Sequence, residues 1–122
     1  LAMQGSRFVR ASKYRHVFAE EDKKELHYTD IQLSTKTGDH NYISGNSKFF
    51  CTAVRGGGGP VIVVPYEKVG KVARDFPTVA GHSASVTDTA WNPFNDNLLA
   101  TASDDCTVKI WEIPDGGITE KL

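Results

Sequence analysis

Residues 81–112 read GHSASVTDTAWNPFNDNLLATASDDCTVKIWE, and this stretch decides the fold. Within it, residues 86–91, 97–103 and 107–113 are short segments rich in β-branched and aromatic side chains, the composition of strands. Between them lie Asn92-Pro93-Phe94-Asn95-Asp96 and Ser103-Asp104-Asp105-Cys106, which are turn-forming residues. The pattern predicts a meander of three antiparallel strands. Side chains alternate along a strand, so Val108 and Ile110 share one face of the third and Lys109 and Trp111 the other.

Upstream, the same grammar continues. Val61-Ile62-Val63-Val64 follows a run of glycines at 56–59 and ends at Pro65, which predicts a short, well-buried strand entered through a tight turn. Residues 48–54 are its expected hairpin partner. No long amphipathic helix is visible, and the mixed charge run at 20–25 reads as a solvated connection. Leu1 and Ala2 precede Met3 and have the look of a cloning scar ahead of a natural start.

Composition narrows the function classes. With 14 basic and 15 acidic residues, the whole chain offers no electrostatic pull toward nucleic acid or an acidic membrane surface. The segment Arg7, Phe8, Arg10, Lys13, Tyr14, Arg15, His16 interleaves basic and aromatic residues, yet no nucleic-acid recognition motif follows it. Neither nucleic acid nor membrane is expected as a partner. The longest apolar run, residues 61–64, is far below the roughly 20 residues of a membrane-spanning helix. Cys51 and Cys106, with no secretory leader before them, suggest a reduced, cytoplasmic setting.

Catalytic and cofactor chemistry is not expected. The glycines at 56–59 lead into a strand, with no following Lys-Ser/Thr and no helix N-terminus to hold a phosphate, so a hairpin turn is the reading. His16, His27, His40 and His82 show no metal-ligand spacing with each other or with either cysteine. His82, Ser83 and Asp88 are near in sequence, but a nucleophile, base and orienter are defined by geometry and not by adjacency.

The quoted stretch resembles one WD repeat, whose signature is a Gly-His pair ahead of three strands ending in Trp-Asp; here Glu112 stands in place of the Asp. The resemblance implies a polar relay in which His82 bonds Asp105 in the tight turn and reaches Thr101 and the indole N–H of Trp111. Ser103 lies on the same face as Thr101 and could replace it. Residues 28–36, 48–54, 61–66 and 76–80 have the layout of a preceding blade, as its strands from the axis outward, at the blade repeat of about 40–45 residues.

A more specific resemblance follows. Ser12-Lys13-Tyr14-Arg15-His16-Val17-Phe18, then Tyr28-Thr29-Asp30-Ile31, Gly56-Gly57-Gly58, Pro77-Thr78-Val79, Trp91-Asn92-Pro93, Asp104-Asp105-Cys106-Thr107-Val108 and Trp111-Glu112-Ile113-Pro114-Asp115-Gly116-Gly117 together resemble the opening of coronins. That resemblance implies an all-β fragment of a WD-repeat β-propeller, about two blades of four-stranded antiparallel sheets, in a cytoplasmic regulator of the actin cytoskeleton. It divides the chain into a tail at 1–6, a propeller-closing strand and charged connection at 7–25, a first blade at 26–81, and a second blade at 82–122 lacking its outermost strand.

Actin filaments are the implied partner, and Arg7, Arg10, Lys13, Arg15 and Lys36 are the candidate contacts for their acidic surface. The same basic residues could instead solubilise an exposed strand. Coronins commonly carry a basic residue after Tyr-x-Asp-Ile, where this chain has Gln32; Lys36 lies on the same face of the expected strand. A WD-repeat scaffold unrelated to actin is the alternative reading. A last expectation is that copies associate, the opening strand at 13–18 of one completing the second blade of the next in a head-to-tail ring.

Overall fold

The apolar run at 61–64 becomes the centre of the molecule because its two faces meet different partners. The computed structural model describes residues 19–120. Its strands are β1 (Tyr28–Thr29), β2 (Ile43–Gly45), β3 (Phe49–Ala53), β4 (Val61–Pro65), β5 (Gly70–Lys71), β6 (Thr78–Val79), β7 (Val86–Trp91), β8 (Leu98–Ser103) and β9 (Val108–Glu112). They form a four-stranded antiparallel sheet in the order β2-β3-β4-β6, a three-stranded sheet β7-β8-β9, and a two-stranded ribbon β1-β5. The opening strand expected at 13–18 and the tail at 1–6 lie outside the described residues. The charged run at 20–25 is exposed and ends in a single 3₁₀ turn, Lys24–Leu26.

Every residue of β4 is buried. Alternation sends Val61 and Val63, with Phe49 and Cys51 of β3, toward the second sheet, where Val79, Val86, Leu99, Ile113 and Ile118 complete one core. Ile62 and Val64, with Phe50, turn the other way and are covered by Val72, Tyr28, Ile31 and Phe76. A strand with both faces covered needs apolar side chains at consecutive positions, which explains Val-Ile-Val-Val.

That second cover accounts for a departure from expectation. Residues 28–36 do not form the innermost strand of the first sheet; β2 takes that place, pairing Ile43 with Thr52 and Gly45 with Phe50. The 28–36 segment is divided instead. β1 pairs in parallel with β5, Asp30 then turns the chain through a left-handed conformation at φ 69°, and only Leu33 returns to the sheet, bridging Val54. Tyr28 and Ile31 are drawn off the sheet plane because they bury apolar surface over Phe50.

In the second sheet the strands fall where the sequence places them, with a register irregularity between Val86 and Asp88. Trp111 packs against the inter-sheet core. The opposite face carries Val108 and Ile110, 68% and 73% exposed. The far side of the first sheet also leaves Leu33, Tyr42, Ile43 and Tyr66 open, lining a cleft of about 1030 Å³. Two apolar faces at opposite ends of a two-sheet stack are what a fragment of a radial β-propeller presents where neighbouring blades would pack.

Candidate functional site

The most concentrated polar chemistry lies where the loop ahead of β7 meets the turn between β8 and β9. His82 is 4% exposed and Thr101 1%. His82 Nδ1 is 3.1 Å from Asp105 Oδ2, and its Nε2 is 2.8 Å from Thr101 Oγ1. The carboxylate accepts, so Nδ1 carries the proton and Nε2 accepts from the Thr101 hydroxyl. Thr101 Oγ1 in turn accepts from the Trp111 indole N–H at 2.9 Å. The structure thus brings His82, Thr101, Asp105 and Trp111 into one directed chain of hydrogen bonds.

Thr107 joins this chain, a member the signature did not single out. Its hydroxyl donates to Asp105 Oδ1 at 2.6 Å and lies 3.1 Å from His82 Nδ1. Ser103 does not take Thr101's place, since its hydroxyl donates to the Ala84 carbonyl at 3.1 Å. His82, Ser83 and Asp88 do not converge: the Asp88 carboxylate accepts the Thr89 backbone N–H, and Ser83 is engaged by Asp105 through its backbone N–H at 2.9 Å.

The Thr107 hydroxyl, with the backbone N–H groups of Ser83 and Thr107 and the His82 ring, holds the Asp105 carboxyl well below the usual carboxylate range, against the opposing effect of desolvation. A folded-state pKa below the unfolded value contributes stability that is present above the ordinary carboxylate pKa of about 4 and is lost as pH falls further. Thermal melts between neutral and acid pH should therefore show Tm falling with acid more steeply for the parent than for Asp105→Asn. Parallel slopes would remove Asp105 from this role.

The two sheets are joined by contacts at both ends of their strands. At the relay end, the Gly58 carbonyl accepts the backbone N–H groups of Gly81 and His82 at 3.3 and 3.1 Å, and Lys36 pairs with Asp104. At the other end, Asn46 Nδ2 donates to the Asp96 carbonyl at 2.8 Å and Ser47 donates to the Asp96 carboxylate. Lys48 Nζ reaches Asn97 Oδ1 at 3.1 Å and Asp115 Oδ1 at 2.9 Å. Between them, Phe49 and Trp91 stack with ring centroids 5.8 Å apart. Sequence reasoning missed this seam, because the partners it joins lie far apart along the chain.

Of the candidate filament contacts, Arg7, Arg10, Lys13 and Arg15 lie outside the described residues. Lys36 is exposed but its ammonium is engaged by Asp104. The Tyr-x-Asp-Ile stretch has structural work: the Tyr28 ring packs edge-on to Phe50 at 4.8 Å, its hydroxyl donates to the Tyr66 carbonyl at 2.7 Å, and Asp30 pairs with Lys71 at 3.2 Å. Gln32 follows, exposed, its carbonyl accepting the Arg55 backbone N–H at 2.9 Å.

Comparison with known proteins agrees with this architecture. Residues 7–71 match the family model described as a domain of unknown function, DUF1899, and residues 74–112 match the WD domain, G-beta repeat. The crystal structure of the WD40 domain from Toxoplasma gondii coronin is similar, with TM-score 0.69 and 29% identity over 77% of this chain. The chain spans 24% of that structure's length. A DUF1899 segment followed directly by a WD repeat, on a backbone that superimposes on a coronin propeller, leads to one conclusion: the chain belongs to the coronin family.

Proposed function

We propose that this chain forms part of an actin-filament-binding surface in a cytoplasmic, coronin-type propeller that acts by binding and not by catalysis. The observation that carries the reading is the continuous pairing of the DUF1899 segment with a WD repeat. The relay and the inter-sheet seam supply rigidity, and the basic residues of the N-terminal segment, Arg7, Arg10, Lys13 and Arg15, supply charge for an acidic filament surface.

The test is co-sedimentation of the full-length protein with actin filaments at two salt concentrations. The protein should pellet with filaments at low salt and be released at high salt, since exposed charges are screened over a Debye length of about 3 Å at 1 M against about 10 Å at 0.1 M. Failure to pellet at low salt would overturn the reading. Replacing Lys13 and Arg15 together by Glu should weaken pelleting mainly at low salt. Unchanged pelleting would leave those two residues a solubilising role only.

A further inference from the structure

The lysines of the two-sheet body are largely spoken for: Lys36, Lys48 and Lys71 pair with Asp104, Asp115 and Asp30, and Lys68 lies over the Phe76 ring. Arg55 differs. It follows β3 on the chain and is exposed. Its backbone N–H is bonded to the Gln32 carbonyl, and its Nε–H donates to the Leu33 carbonyl at 3.2 Å. Among the described residues its terminal Nη groups have no hydrogen-bond or ion-pair partner.

A guanidinium held by its Nε and open at its Nη fork is preorganised to take a carboxylate, because less side-chain freedom remains to be lost on binding. The approach is unobstructed. Gly56 and Gly57 follow Arg55 without side chains, and a Cβ added at Gly57 would meet nothing within 4 Å. Arg74 lines the same groove of about 580 Å³, together with Asp75 and Glu120. Asp30 also lines it but is already engaged by Lys71.

We infer that Arg55 is a carboxylate-binding anchor of the partner surface, taking an exposed Asp or Glu side chain of the partner in a forked pair. This rests on the filament-binding reading above, so the carboxylate belongs to the acidic face of the filament. Arg55 thereby adds an open cationic fork to the candidate contacts, beside Lys36, whose ammonium pairs with Asp104.

The experiment is co-sedimentation of full-length parent, Arg55→Gln and Arg55→Lys with actin filaments at low salt, with Tm recorded for each. The glutamine variant should bind about tenfold more weakly, as expected for loss of one charge-assisted contact. The lysine variant, which keeps the charge and loses the fork, should fall between the two and supplies the readout if the glutamine variant does not fold. Parent-like binding by both variants overturns this inference and leaves the filament reading standing. A parent that does not pellet overturns the filament reading, and this inference with it.

Discussion

Replacing Gly59 by Ala is expected to destabilise the protein by about 2–5 kcal/mol, combining a left-handed L-residue with an overpacked contact. Gly59 has φ +57°, and a Cβ there would lie 2.5 Å from the Ala84 carbonyl oxygen and 3.2 Å from the Val86 backbone nitrogen. Neither backbone atom can turn aside as a side-chain tip could. Moving the turn would pull on the Gly58 carbonyl, which accepts from Gly81 and His82, so the damage would spread into the relay. Gly57→Ala is the internal control: it belongs to the same glycine run, yet its Cβ would stand in open space. Thermal denaturation should show Tm falling by more than about 10 °C for Gly59→Ala, with little change for Gly57→Ala. Equal melting of the two variants would mean that the turn does not dock against the second sheet.

Trp111→Phe is expected to cost about 1–3 kcal/mol by deleting one donor from a buried chain of hydrogen bonds. The ring keeps much of its apolar volume, but Thr101, 1% exposed, loses the indole N–H that its oxygen accepts. Water cannot readily replace it at so buried a site. The Thr101 hydroxyl still donates to His82, so the effect should be smaller when His82 has already been replaced. A double-mutant cycle with His82→Gln measures that coupling, and non-additivity is the expected outcome for groups in one network. Strict additivity, or a Trp111→Phe variant melting with the parent, would show that the four residues do not act as a set.

The second sheet was legible because its information is local. Residues 86–113 carry their own alternation and their own turns, and the Gly-His and Trp-Glu ends mark where the relay must close. The glycine run at 56–59 was likewise readable as a hairpin turn, although its docking onto the Gly81-His82 backbone was not. That docking depends on the distance between two loops that only the packed sheets determine. The inner strand of the first sheet was misplaced for a related reason. Residues 28–36 read as one continuous strand, but the apolar demand of Phe50, Ile62 and Val64 from outside the segment draws Tyr28 and Ile31 off the sheet.

The candidate site divides in the same way. His82, Asp105 and Trp111 could be named from the sequence, whereas Thr107 as a member of the relay and Ser103 as a separate contact to Ala84 required coordinates. Lys36 was a candidate contact through its place on the face of the expected strand; in the fold, Asp104 arrives from the other sheet and pairs with it. Arg55 gave no sign of distinction until the strap at 32–34 was seen to hold its Nε and leave its fork open. Alternation and turn chemistry determined the all-β class by themselves, since they act over a few neighbouring positions, and the resemblance to a WD repeat marked the relay's members apart from Thr107. Which face each apolar residue covers, and which charges are neutralised or left available, was decided only by tertiary packing, because both depend on partners brought close by the fold and not by the chain.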